Sequence, residues 1–74
     1  MQLVRNREKK LRELLKEARL AGDLRQTDVA NRLGRPQSYV AKVEGGERVL
    51  SFIEALDFCK AIGLDPAVLV EQLG

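Results

Sequence analysis

The residues with the clearest chemical potential lie in one short segment near the middle of the chain. Between residues 36 and 44 the sequence places an amide, a hydroxyl, a phenol and a primary amine at Gln37, Ser38, Tyr39 and Lys42. Groups of these types read base edges in DNA or hold backbone phosphates. The chain has no histidine, which excludes a histidine general base and a histidine metal ligand. The segment therefore predicts binding chemistry, not catalysis.

The elements that must position these side chains are two short helices joined by a glycine turn. Ala30 is a small residue inside the first helical stretch, so the second helix can approach it closely. Gly34 permits the positive φ of a tight turn. The pattern predicts a helix-turn-helix over residues 25–45, whose second helix, from about Pro36 to Glu44, enters the major groove of DNA.

The rest of the chain predicts an all-α fold of five short helices. Apolar residues recur at helical spacing, and Gly22, Ser51 with Glu54, and Asp65 with Pro66 mark helix ends. The helices are expected at about residues 6–21, 26–33, 36–44, 52–62 and 66–73. The predicted core comprises Leu11, Leu14, Leu15, Ala18, Val29, Ala30, Leu33, Val40, Val43, Phe52, Leu56, Cys59, Ile62 and Leu69.

Length and composition limit the class of protein. A chain of 74 residues makes one domain, and its single cysteine, Cys59, cannot form an internal disulfide, which fits a reducing, cytoplasmic setting. No apolar run is long enough to span a membrane, and the first residues lack the apolar stretch of a signal peptide. Residues 1–48 hold 12 Lys and Arg against 7 Asp and Glu, whereas residues 49–74 hold 1 against 4. The basic part suits a polyanion, and the acidic part predicts a separate task.

A resemblance to a known family rests on several spaced residues. They are Gln26, Ala30, Leu33-Gly34, Gln37-Ser38, Val40, Val43-Glu44-Gly45 and Arg48, followed by the stretch from Leu50 to Gly63. The pattern covers roughly residues 8–70 and resembles the phage repressor and Cro type of helix-turn-helix, the XRE family. The resemblance implies a repressor-like fold and sequence-specific binding of double-stranded DNA by a repressor or controller of transcription.

The resemblance also implies roles for individual residues. The residue matching Gln26 touches a phosphate and braces the recognition helix. Arg19 is expected to pair with Glu44 and join the first helix to the end of the third. Tyr39 is expected either to contact the DNA backbone or to pack on the domain's own surface. The predicted DNA-binding residues are Gln26, Arg35, Gln37, Ser38, Tyr39, Lys42 and Arg48.

Two positions depart from the family pattern. Arg25 stands where a Ser or Thr often caps the second helix. Because an arginine side chain has no acceptor, we expect either a weaker helix start or a contact with phosphate. Lys42 stands where many members carry Gln or Arg, so the identity of its base cannot be inferred.

The C-terminal helices, residues 51–73, are predicted to join two copies in a homodimer. One recognition helix covers only a few base pairs, so proteins of this fold usually pair two half-sites. Large apolar groups beyond the needs of a small core predict the surface. We assign Ile53, Phe58, Val68 and Leu69 to this interface.

Other functions are weighed against DNA binding. The chain is not expected to be an enzyme, because its carboxylates are scattered and nothing perturbs them. No cofactor, metal or membrane is expected as a partner. The alternative is an antitoxin or protein-interaction module on the same fold, with a toxin as its partner. The sequence also fits both a stand-alone regulator and a domain of a longer repressor.

Overall fold

The computed structural model describes the backbone of residues 2–74 and the side chains from residue 6 onward. Within that part of the chain the backbone forms five α-helices and no strand. They are α1 (Gln2–Ala21), α2 (Gln26–Leu33), α3 (Gln37–Gly45), α4 (Phe52–Ile62) and α5 (Pro66–Leu73). The predicted all-α class is confirmed, and α4 and α5 begin and end where the sequence placed them. The first five side chains, which bear on the argument against a signal peptide, lie outside the described residues.

The first helix is longer than its apolar stripe requires. The sequence predicts a start near Asn6, whereas the helical backbone begins at Gln2. No Gly or Pro precedes Gly22, and Arg, Lys, Glu and Leu all have high helix propensity. The helix therefore continues beyond the part that packs, and residues 6–10 are exposed.

The turn after α1 and both ends of α3 differ by one residue from the prediction, and α3 ends at Gly45 where Glu44 was expected. Gly22 was expected to stop α1, but the left-handed residue of that turn is Asp23, with φ 58°. Asp is one of the few residues besides Gly that visits this region, because its short side chain bonds locally. Pro36 was expected as the first residue of α3, but it is the N-cap, with an extended ψ of 153°.

The fourth helix begins and ends on local signals that the sequence shows. The Ser51 hydroxyl accepts from the Glu54 backbone N–H at 3.1 Å, and the Glu54 carboxylate accepts from the Ser51 N–H at 2.9 Å. This is the predicted capping box. At the next helix, the Asp65 carboxylate accepts from the Ala67 N–H at 2.9 Å, and Pro66 is the first residue, as predicted.

One apolar core joins all five helices. Its fully enclosed side chains come from the first four helices, and Leu69 of α5 closes it. The largest of the enclosed side chains are Phe58, Leu15, Val29, Val40 and Cys59. Cys59 is thus a small core residue with a free thiol.

The face that α4 buries differs from the prediction. Phe52, predicted in the core, is 74% exposed, and Phe58, predicted at a dimer interface, is fully buried. The buried stripe is Ala55, Phe58, Cys59 and Ile62, at i, i+3, i+4 and i+7. Because α4 is apolar on most sides, two stripes fit the same helical period, and sequence alone does not choose between them.

The last helix also presents a different face. Val68 and Leu69, both predicted at a dimer interface, are half-buried and buried respectively, whereas Val70 is 69% exposed. Phe58 and Leu69 therefore belong to the core of the single chain, and their assignment to a dimer interface is wrong. Of the predicted interface residues, Ile53 is exposed, at 64%.

None of the helices in the described part of the chain combines the length and the apolar character needed to cross a membrane.

Candidate nucleic-acid interface

A tight turn between α2 and α3 sets the angle of the exposed helix. Gly34 lies in the left-handed region with φ 65°, and its N–H donates to the Asn31 carbonyl at 3.2 Å. The Arg35 N–H donates to the Ala30 carbonyl at 3.0 Å, which closes the end of α2. Ala30 itself is buried and small, so α3 packs closely on α2. A side chain larger than Gly at position 34 would be strained by its φ.

The packing of α3 leaves a polar face in solvent. Val40 and Val43 are buried in the core, while Gln37, Ser38 and Lys42 are exposed. Ser38 and Lys42 are four residues apart and therefore lie on one side of the helix. No side chain caps the start of α3. The Tyr39 N–H donates to the Pro36 carbonyl at 3.0 Å, so the N–H groups of Gln37 and Ser38 are the ones open to an acceptor such as a phosphate oxygen.

A buried ion pair ties α1 to the end of α3. The Arg19 Nε donates to Glu44 Oε2 at 2.6 Å, and Arg19 Nη2 donates to Glu44 Oε1 at 3.0 Å. A third donor, Nη1, reaches the Leu24 carbonyl at 2.8 Å. The two side chains are only 8% and 4% exposed. The predicted pair of Arg19 and Glu44 is confirmed, and its bidentate form fixes both side chains.

Two glutamines extend this ion pair to the surface. The Gln26 Nε2 donates to Glu44 Oε1 at 3.0 Å, and the Gln26 Oε1 accepts from Gln37 Nε2 at 2.6 Å. A continuous chain of contacts therefore runs from buried Arg19 to exposed Gln37. Gln37 Oε1 and the second Nε2 hydrogen take no part in this chain and remain available.

The N-cap residue of α2, Arg25, does not cap the helix with its side chain, and Asp28 stabilises the helix start instead. The Asp28 Oδ2 accepts from the Arg25 backbone N–H at 2.8 Å, and Asp28 Oδ1 lies 3.1 Å from Arg25 Nη2. The Arg25 guanidinium has no acceptor to return the bond, as the sequence implied, so only half of a capping box forms. Hydrogen bonding from Arg25 lowers the pKa of Asp28.

A second cluster surrounds the Tyr39 ring. The guanidinium carbons of Arg35 and Arg48 lie 4.7 Å and 5.2 Å from the ring centroid. Such distances are those of cation–π contacts. The hydroxyl of Tyr39 points to Glu54 Oε2, at 3.4 Å. Tyr39 therefore packs on its own domain, while Arg35 and Arg48, which lie over its ring, remain exposed.

The carboxylate of Glu54 is the negative centre of this second cluster. Its Oε2 accepts from Arg48 Nη2 at 2.6 Å and lies 3.8 Å from Arg35 Nη2. The Ser51 N–H and the Arg48 guanidinium lower the pKa of Glu54 to about 2. Burial, with the nearby Glu54 charge, raises the pKa of Tyr39, so the phenol stays protonated at neutral pH.

Comparison with known proteins identifies the family. Residues 10–73 match the helix-turn-helix domain family. An XRE-family like protein from Pseudomonas syringae pv. tomato str. DC3000 has a similar solved structure, with a TM-score of 0.92 and 47% identity over 97% of this chain and 88% of that one. The chain belongs to the XRE family of helix-turn-helix domains.

A second solved structure similar to this XRE domain is a wild-type restriction–modification controller protein. Its TM-score is 0.82 with 22% identity, over 90% of this chain and 88% of that chain, so the likeness shows the fold alone. No curated protein matches the chain. The family makes this a DNA-binding domain of the transcription-regulator type and does not favour the antitoxin or interaction-module alternative.

The structure of the XRE domain brings the predicted DNA-binding residues into two groups. Gln26 and Gln37 contact each other where the two helices of the motif begin. Arg35 and Arg48 meet around Tyr39. Ser38 and Lys42 are exposed on α3 and make no hydrogen bond or ion pair among the described residues.

One member of the second group was not predicted from the sequence. Glu54 was recognised as the capping residue of α4, and that role is real. Its contacts with Arg35 and Arg48 depend on where the fold places the start of α4 relative to the turns on either side of α3, and no periodic signal in the sequence reports that placement. Phosphate contacts are sought among positively charged and neutral donor side chains, so the negative charge of Glu54 also excluded it from that search.

Proposed function

We propose that this chain is a sequence-specific transcription regulator that places α3 in the major groove of double-stranded DNA. The observation that carries the proposal is the chain of contacts from Arg19 to Gln37. An amide at the start of an exposed helix is held by a glutamine, which is itself held by a buried carboxylate. A surface helix with no ligand gains nothing from so fixed a side chain, whereas base readout requires one in a defined orientation.

The free atoms of Gln37 indicate how it reads a base. Its Nε2 gives one hydrogen to Gln26, and one hydrogen and Oε1 remain. A donor and an acceptor side by side match the N7 and N6 groups of adenine in the major groove. Ser38 and Lys42, on the same helix, supply a hydroxyl and a charge to adjacent bases or phosphates. The Lys42 side chain does not by itself define a base.

Phosphate contacts are assigned to the groups around the two helix starts. Arg35 and Arg48 are exposed cations on either side of α3 in sequence, and Gln26 opens α2. The uncapped first turn of α3 adds backbone N–H donors. These contacts fix the register of the domain on the duplex, and the base contacts give the sequence preference.

The test of this function is selection of bound sequences from a random pool of duplex DNA, followed by titration against salt. We expect an enriched motif containing adenine and a fall of affinity with salt. Each neutralised phosphate contributes about −0.9 to the log–log slope, so several contacts give a slope of several units per monomer. A pool without enrichment, or an affinity that is flat between low and moderate salt, contradicts the proposal.

We also infer that the working form is a homodimer joined through α4 and α5. The surface is a groove of about 520 Å³ between α1, α4 and α5, with exposed Phe52 and Val70 among its lining residues. Ile53, the neighbour of Phe52, is also exposed. Residues 49–74 carry one Lys against four acidic residues, which keeps this part off DNA and free for a second copy. Two copies supply the two recognition helices that a palindromic site needs.

A further inference from the structure

The carboxylate of Glu54 has two fixed sides. Its Oε1 accepts from the Ser51 backbone N–H at 2.9 Å, which anchors the side chain to the start of α4. Its Oε2 faces Arg48 at 2.6 Å, Tyr39 at 3.4 Å and Arg35 at 3.8 Å. One oxygen is thus held by the backbone while the other holds two arginines.

An arginine side chain that is already held in place loses less conformational entropy on binding than a free one does. An arginine side chain has several rotatable bonds, and fixing it at an interface costs conformational entropy. Arg48 rests on the Tyr39 ring and on Glu54, so much of that freedom is already removed before any ligand arrives. A guanidinium has five N–H donors and the bond to Glu54 uses one, so donors remain for a phosphate.

We propose that Glu54 is a positioning residue that holds Arg35 and Arg48 in place for DNA phosphates, a role that rests on the proposed function. A carboxylate beside phosphate contacts otherwise only repels DNA. The two roles predict opposite effects of its removal: loss of a positioning residue weakens binding, whereas loss of a repelling charge strengthens it. The pKa of about 2 keeps Glu54 ionised at neutral pH, so either role operates there.

The deciding variants are Glu54→Gln and Glu54→Asp. Gln is an accepted residue at this place in a capping box, so Glu54→Gln removes the charge and keeps the start of α4. Glu54→Asp keeps the charge but withdraws the carboxylate by one methylene from the arginines. Asp57→Asn is the matched control, since it removes one negative charge from the exposed side of the same helix. Helical content by circular dichroism checks that each variant folds.

Binding of the selected duplex is expected to weaken about two- to tenfold for each arginine released, in both Glu54 variants. The log–log salt slope should become shallower by about 0.9 for each phosphate that the variant no longer neutralises. Asp57→Asn should bind as the wild type or slightly more tightly. A Glu54→Gln protein that binds as tightly as wild type or more tightly, together with a Glu54→Asp protein that binds like wild type, overturns the proposal.

A second measurement needs no DNA. Tyr39 is the only tyrosine, so its ring is the only tyrosine ring that can shift the Nε–H resonance of an arginine lying over it. In Glu54→Gln the Arg48 resonance should move toward the value of a free arginine, and in Asp57→Asn it should not move. An unmoved Arg48 resonance overturns the positioning role. A wild type that binds no duplex contradicts the proposed function instead, while the arginine resonances still decide whether Glu54 positions the arginines.

Discussion

At the scale of single residues, the proposed DNA interface separates into side chains that we expect to select bases and side chains that we expect to attract phosphates. Gln37 is held by Gln26 with an acceptor and a hydrogen left free, which suits base readout. Arg48 is held against Tyr39 and Glu54 with donors left free, which suits phosphate. The two are supported by different parts of the domain, so their effects on DNA binding are separable.

Gln37→Ala is expected to cost about 1–3 kcal/mol of binding free energy on the selected sequence and little on random DNA. Arg48→Ala is expected to weaken binding to both DNAs by a similar factor, because phosphates carry no sequence information. Fluorescence anisotropy titrations of both proteins on both duplexes measure the difference. If the two variants lose affinity in the same proportion on both DNAs, the assigned roles are wrong.

The ion pair of Arg19 and Glu44 predicts a large effect on stability. Because both side chains are buried, removing one leaves the other charge poorly solvated. Arg19→Met should therefore lower the free energy of unfolding by about 3–5 kcal/mol. The exposed pair of Lys9 and Glu13, at 4.0 Å with 65% and 57% exposure, is the control, and Lys9→Met should cost no more than about 0.5 kcal/mol.

Urea unfolding of these variants measures the change. The double variant of Arg19→Met with Glu44→Leu should recover much of the loss, because no buried charge is left unpaired. Equal stability of the Arg19 and Lys9 variants would show that the buried pair contributes no more than a surface pair.

At the scale of elements, the start of α4 predicts a dependence on pH. The Ser51 N–H and Arg48 hold the folded pKa of Glu54 at about 2, below its ordinary 4.5. A folded pKa below the unfolded one gives stability above about pH 4.5 that is lost as the pH falls toward 2. The other groups that face Glu54 are Arg35 and Tyr39, and burial raises the pKa of Tyr39, so the phenol stays protonated throughout that window.

Thermal midpoints of the wild type should therefore fall more steeply between about pH 4.5 and 2 than those of Glu54→Gln. Asp57→Asn should follow the wild type, since its charge lies outside the cluster. Parallel curves for wild type and Glu54→Gln would mean that the contacts of Glu54 do not stabilise the fold.

The elements also show where sequence prediction succeeds. The ends of α4 and α5 are set by Ser51, Glu54, Asp65 and Pro66, whose effects are local, and both helices were predicted correctly. The face that α4 buries depends on contacts with other helices, and an almost wholly apolar helix offers no contrast to choose from. Phe52 and Phe58 were exchanged for that reason.

In the candidate site, too, local signals in the sequence predict local features but not the contacts between helices. The pair of Arg19 and Glu44 came from the family resemblance, and no spacing in the sequence predicts a contact 25 residues apart. The link of Gln26 to Gln37 fits the predicted bracing role of Gln26, but its geometry required the structure. Glu54 entered the prediction only as a cap, because its contact with Arg48 depends on how the fold places the start of α4 beside the turn after α3.

At the scale of the whole molecule, the charge of the chain is distributed unevenly between its two parts. The predicted DNA contacts all lie in residues 1–48, which hold 12 Lys and Arg against 7 Asp and Glu. Of the five large apolar residues exposed in the described part of the chain, Val49, Phe52, Ile53 and Val70 lie in the acidic remainder, and Leu20 lies in α1. When an apolar surface joins two copies of a domain that has one recognition helix each, the pair can bind a longer DNA site made of two half-sites.

The proposed dimer predicts that Phe52→Glu and Val70→Glu are monomers at concentrations where the wild type is expected to be a dimer. Burying a phenylalanine contributes about 1.5–3 kcal/mol, and a two-fold dimer contains two copies. Loss of the phenylalanine from both copies should weaken association by roughly a hundredfold or more, at 1.4 kcal/mol for each factor of ten. Leu20 is an exposed apolar residue of α1 that lies outside the groove, so Leu20→Glu is the control and should remain a dimer.

Sedimentation at micromolar concentration measures the oligomeric state, and DNA with two half-sites about one helical turn apart measures its consequence. The wild type and Leu20→Glu should bind the paired sites cooperatively, because binding of one half-site brings the second recognition helix to the other. Phe52→Glu should bind each half-site independently, with the affinity of a single domain, since Phe52 lies outside the predicted DNA contacts. A monomeric wild type that fills the two half-sites without cooperativity contradicts the dimer and leaves the exposed groove without a second copy as its occupant.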